Sequence, residues 1–222
     1  MTRTARIKLP NQIYSVVTRI NNSEYHFMDN LVSSAFINHL KQVKEKLKFK
    51  LFAFVIMSTH VHLLIEPNDE IADISEIMQQ INGKFAQKFN SYNKRKGHFW
   101  MQRFASKIVE RGAYLANTII YFLLNPVKAG ITNNPLKYTY SSVHAITGKK
   151  YQDLIDELPK DLLEVIKEFL KRNNYLELIE KYIRIIKRFS FDLKKTKYDQ
   201  KFKNFIGSLE FIKFYNSKIF NK

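Results

Sequence analysis

Hydrophobic and polar positions in this chain switch repeatedly between a period of two and a period near three and a half. Gln12 to Arg19 is β-branched and aromatic, bracketed by Pro10-Asn11 and Asn21-Asn22-Ser23, and predicts a first strand. Phe36, Leu40, Val43 and Leu47 recur at helical spacing and predict a helix over Asp29 to Lys48. Leu51 to Ile56 is an apolar run and Met57 to Pro67 alternates behind it, so the two predict a hairpin turning at Ser58-Thr59. Ile71, Ile74, Met78, Ile81, Phe85, Phe89 and Tyr92 predict a second amphipathic helix, acidic at its start, basic at its end and closed by Gly97. His98 to Glu110 reads as extended, with aromatics interleaved by cations. Ala113 to Leu124 reads as an apolar helix that ends or bends at Asn125, because Pro126 follows.

After Gly148-Lys149-Lys150 the spacing is helical throughout. Leu162, Val165, Ile166 and Phe169 make one face, Leu176, Ile179, Ile183 and Ile186 another, and Phe211, Ile212, Tyr215 and Ile219 a third, capped by Ser208. A Lys-rich stretch at 194–203 reads as a linker. The order of elements implies an α+β protein, a small antiparallel sheet covered by helices in residues 1–150, with a helical appendage at 151–222.

Composition narrows the partners. The 222 residues carry a formal net charge of +17 and no cysteine, which excludes disulfides and thiolate metal sites. Residues 1–150 hold 21 Lys and Arg against 9 Asp and Glu, and residues 151–222 hold 16 against 11, so the first part carries most of the excess. Such a balance favours a polyanion, nucleic acid ahead of a membrane surface. No apolar run reaches membrane-spanning length, and a cytoplasmic protein is expected. Lys84, Lys88, Arg95, Lys96, Arg103 and Lys107, with Trp100 as a stacking surface, are the expected nucleic-acid contacts.

Two short stretches carry chemistry. On a strand, His60 and His62 point to one face together with Leu64, and two imidazoles so placed can converge on one metal ion. Glu66 lies on that same face, while Thr59 falls on the opposite one by parity. Tyr121 and Asn125 are four apart on a helix and present a phenol and an amide together. Taken alone, each has an ordinary reading: exposed histidines, a core aromatic, a turn residue. Tyr114, seven positions before Tyr121, is a rival phenol.

His-hydrophobic-His after an apolar run, a later Gln-Arg-Phe with Lys two residues after Ala-Ser, and Tyr-x-x-x-Asn-Pro-Val-Lys-Ala-Gly together resemble the single-tyrosine HUH transposases. More narrowly they resemble the REP-associated tyrosine transposases related to the insertion-sequence 200/605 kind, over about residues 10–148. The resemblance implies a ferredoxin-like or RRM-like sheet with helices on one face. It implies cleavage of single-stranded or hairpin DNA with the 5′ end held on tyrosine, and a homodimer. It makes Tyr121 the nucleophile and His60, His62 and Asn125 the ligands of Mg²⁺ or Mn²⁺, although imidazoles by themselves suit manganese or zinc better. A catalytically silent DNA-binding protein and a replication-type nickase are the competing readings.

Overall fold

A computed structural model describes residues 7–172, 174, 175, 177, 178 and 205–220. Strands β1 (Ile13–Arg19), β2 (Lys50–Met57), β3 (His60–Glu66), β4 (Ala105–Val109) and β5 (Phe205–Ile206) form one sheet in the order β2-β3-β1-β4-β5. The first four are antiparallel neighbours, and β5 adds to β4 in parallel. Helix α1 (Asn30–Leu47) joins β1 to β2, and a helical stretch over 74–92 joins β3 to β4, which gives the expected ferredoxin-like arrangement.

Local chemistry sets the element ends. Asp29 caps α1 by accepting from the Leu31 amide, and Lys48 closes it in a left-handed conformation. Asp73 and Glu76 form a reciprocal capping box at the start of α2 (Ile74–Met78). A π-helical turn (Gln79–Gly83) then leads into α3 (Lys84–Tyr92). Helix α3 ends five residues before Gly97, earlier than its spacing predicts, because Lys94 takes a positive φ and the Arg95 amide turns back to Asn90 O.

Residues 98–104 are not part of a strand. Phe99 and Trp100 are drawn into an aromatic core with Phe27, Phe36 and Phe85, which leaves one bridge from Trp100 to Ile20 before β4 begins at Ala105. Helix α4 (Ala113–Lys128) runs through Asn125 and Pro126 instead of ending there. A proline in a helix forfeits its own amide bond, and the burial of Leu123, Leu124 and Val127 around it holds the last turn.

The helices occupy both faces of the sheet, where the one-face layout was expected. Helices α1, α2 and α3 cover the side of Tyr14, Val16, Val61, Leu63 and Ile65. Helix α4, the short α5 (Val143–Ile146) and α6 (Lys160–Leu170) cover the side of Ile13, Val55 and Leu64. Residues after Lys150 thus enter both cores. Leu162, Ile166 and Phe169 of α6 pack with α4 as their spacing predicts, whereas Val165 is exposed. Helix α7 (Leu209–Phe220) contributes the buried Ile212, and the Ser208 hydroxyl accepts from the Phe211 amide as the expected cap. Gly207 leaves no room for a side chain, since a Cβ there would lie 2.5 Å from the Phe211 ring. The expected helix face of Leu176 to Ile186 and the 194–203 linker lie outside the described residues.

Candidate active site

The polar opening of the α4 face lies at the start of β3. His60 and His62 project there from one face of the strand, with ring centroids 5.0 Å apart. Helix α4 crosses above them: the His62 ring lies 5.1 Å from that of Phe122 and 6.4 Å from that of Tyr121. Residues 59 positions apart in sequence are thus brought edge to face. At the other end of the helix, Gly112 and Leu115 line a cavity with Glu66, so α4 runs opposite to β3. One helical turn, about 5.4 Å, carries the chain from Tyr121 to Asn125 in the direction of His60.

The four side chains are held differently. His62 is buried, and its Nδ1 has no hydrogen-bond partner among the described residues. His60 is half-buried and its Nδ1 lies 3.0 Å from the Thr59 hydroxyl, which orients the ring and leaves Nε2 free. Asn125 is buried, and its Nδ2 donates to Tyr121 O at 2.9 Å. Tyr121 is half-buried, with Lys128 Nζ 5.4 Å from its ring centroid.

Electrostatics keep both imidazoles neutral. Burial, then the positive field of Arg19, brings His60 down to about 4. Burial, then His60, Arg19 and Lys128, brings His62 down to about 3. A neutral ring with an unpaired buried nitrogen is the protonation state and the vacancy that a metal ligand requires. No cluster of three or more His, Cys, Asp or Glu suited to a metal exists among the described residues.

The phenols sort themselves by environment. Burial raises Tyr14 and Tyr138 to about 12, and each hydroxyl is committed to a backbone carbonyl, of Leu9 and Ile56 respectively. Tyr114 is raised by burial and then by Glu110, and its seven-residue offset puts it about 10 Å back along the helix from the His62 contact. Tyr121 alone among these faces the histidine pair.

The structure places Glu66 and corrects two sequence expectations, for Thr59 and for Trp100. Glu66 shares the histidine face but sits at the far end of β3, where it pairs with Arg111 at 2.9 Å and Lys50 at 3.8 Å, too distant to assist a metal at His60. Thr59 is not turned away from the site: it belongs to the hairpin turn, where strand parity does not apply, and it supports His60. Trp100 gives its ring to the aromatic core and its indole N–H to Asn82 O at 2.9 Å, so it is no free stacking platform.

The expected cations also separate. Arg95 is tied to Glu24 at 2.6 Å. Lys84, Lys88, Lys96, Arg103 and Lys107 are exposed. Lys84 and Lys88 stand on α3, across the sheet from α4, whereas Lys107 pairs in register with Ser15 and shares the α4 side of the sheet. Its ammonium, though its side chain has an exposed surface, is crowded enough that desolvation lowers its pKa. Sequence reasoning assigned nothing to Arg19 and Lys128, which flank the site; the pairing register that sets Arg19 opposite His60 is not legible in a single chain.

A ferredoxin-like sheet carrying a histidine pair under a tyrosine-bearing helix defines a class of α+β proteins, and the comparisons with known proteins say which one. The family model described as "Transposase IS200 like" matches residues 8–121, and the chain belongs to that family. It is 30% identical over 113 residues to the "Putative REP-associated tyrosine transposase" of Haemophilus influenzae, a match covering 47% of this chain and 64% of that protein. The chain therefore spans somewhat under two thirds of that curated relative. Its fold resembles that of a REP-associated tyrosine transposase solved bound to a REP hairpin, with a TM-score of 0.57 at 17% identity over 72% of this chain and 94% of the other. No helix among the described residues is long and apolar enough to cross a membrane.

Proposed function

We propose that this protein is a metal-dependent DNA strand transferase that cuts single-stranded or hairpin DNA through a tyrosine ester. The observation that supports this most is the contact of the Tyr121 ring with His62, two residues joined by nothing in the local sequence. In this reading the Tyr121 phenol oxygen attacks a phosphodiester, the bond from phosphorus to the 3′ oxygen breaks, and the 5′ phosphate stays on tyrosine as an ester. The phenol proton passes to solvent and the departing 3′ oxygen takes one up. Because a diester is exchanged for a diester, the step reverses with another 3′-OH, which makes rejoining possible without an energy source.

His60, His62 and Asn125 would hold Mg²⁺ or Mn²⁺, which when bound supplies charge to the phosphoryl oxygens. Two nitrogen donors and one amide oxygen favour manganese of the two. Burial keeps both rings unprotonated for this task, and the Phe122 ring against His62 excludes water from its inner side. A hairpin end of the kind bound by the structurally similar transposase is the proposed substrate.

Incubation with hairpin-flanked single-stranded oligonucleotides and Mn²⁺ should give a covalent protein–DNA adduct that survives denaturing gels. Tyr121→Phe should abolish it while leaving DNA affinity within about twofold, since one neutral hydroxyl contributes little to binding. An adduct undiminished in that variant defeats the assignment.

A further inference from the structure

We propose that Arg19 grips the phosphate under attack, its guanidinium holding the non-bridging oxygens of the phosphodiester that Tyr121 cleaves. This rests on Tyr121 being the nucleophile. Arg19 is the last residue of β1 and pairs in register with His60 of β3, so the two side chains rise from the same face with Cβ atoms about 5 Å apart. Its strand end is fixed on both sides: Arg19 O accepts from the Met101 amide at 2.9 Å, and the next amide, of Ile20, donates to Thr59 O at 2.8 Å. The base of the side chain is therefore preorganised beside the histidines.

The head of that side chain is unspent. Arg19 is exposed, and its guanidinium has no carboxylate within 4.0 Å and no hydrogen bond among the described residues. Arg95 and Arg111, by contrast, are committed to Glu24 and Glu66. Its positive field falls on both imidazoles, with Lys128 adding to it at His62 from the helix side. No acidic side chain among the described residues acts on either ring.

Charge makes this arrangement hard to explain as structure. A divalent ion held by two neutral imidazoles and an amide keeps its whole charge, and an arginine beside it would only repel it unless an anion lay between them. A phosphodiester supplies that anion. The guanidinium fork matches two phosphate oxygens, which a lysine at the same position would meet only as a point charge.

The test removes the phosphate charge and asks whether Arg19 notices. The scissile position is first mapped from the adduct formed by the unaltered protein. Binding of Tyr121→Phe protein is then measured to oligonucleotides carrying either the ordinary diester or a neutral methylphosphonate at that position. The expected penalty for the methylphosphonate is about tenfold or more, the strength of an ordinary charge-assisted hydrogen bond. Adding Arg19→Ala should shrink the penalty below about threefold, and Arg19→Lys should restore part of it. Lys46→Ala, an exposed cation of α1, should keep the penalty whole. An undiminished penalty in Arg19→Ala, or one erased equally by Lys46→Ala, overturns the proposal while leaving the nucleophile assignment standing. Failure of the unaltered protein to form any adduct overturns both.

Discussion

His39 and His62 are both buried under helices, on opposite sides of one sheet, and the chain treats them differently. His39, on α1, places Nε2 3.1 Å from each of the carbonyls of Gln80 and Ile81, while its Nδ1 is buried without a partner among the described residues. Its Nε2 ties α1 to the π-helical turn. His62 makes no hydrogen bond among the described residues and stands against two rings and a second imidazole. An imidazole kept dry and unpaired costs stability, and a fold retains such a cost where the group has other work. On the α1 side the buried imidazole is anchored to backbone through one nitrogen, and on the α4 side it is anchored through neither.

Replacing each histidine by leucine should separate those roles. His62→Leu should eliminate Mn²⁺ binding and adduct formation, yet leave unfolding free energy unchanged or raised by up to about 1 kcal/mol, because an unpaired buried nitrogen disappears. His39→Leu should do the reverse, costing about 1–3 kcal/mol in chemical denaturation while metal affinity of the folded protein holds. Burial also holds the His39 pKa below its ordinary 6.5. The folded chain then stays neutral there while the unfolded chain takes a proton, so stability falls as pH drops through about 6.5, and His39→Leu removes that share of the decline. A metal-binding loss in His39→Leu would erase the distinction between the two faces.

A smaller effect is expected one bond further out. Thr59→Val keeps the shape of the turn and removes the hydroxyl at 3.0 Å from His60 Nδ1. Mn²⁺ affinity, read by titration calorimetry, should fall about tenfold, with the melting temperature nearly constant. The least is expected from the paired change Lys84→Ala and Lys88→Ala on α3. Loss of two phosphate contacts should flatten the slope of log affinity against log salt by about 1.4 on single strands. Metal binding should not respond, since both lysines lie across the sheet from the histidines.

Much of the scaffold could be read from spacing alone. Periodicity located α1 to within one residue at each end, because an Asp cap and a run of core positions bound it, and strict alternation located the β2–β3 hairpin. What escaped was set by tertiary contacts. Residues 98–104 have a strand-like composition, but Phe99 and Trp100 are claimed by Phe27, Phe36 and Phe85 from three other segments. Pro126 signalled a helix end that packing overrode. Tyr121 and the histidines were legible as separate motifs joined by family resemblance, while Arg19 and Thr59 acquire their places from strand register and turn geometry, which no single-chain pattern encodes.

The bond from Asn125 Nδ2 to Tyr121 O has a mechanical corollary. The Asn125 side chain is tied to the main chain of the turn that carries Tyr121, so under the proposed function the phenol and the third metal donor would ride on one short rod and shift together. Under the proposed function, a motion carrying a captured 5′ end to a new strand would have to translate or tilt the whole of α4 over the sheet, with the apolar ridge of Leu123, Leu124 and Val127 as its bearing.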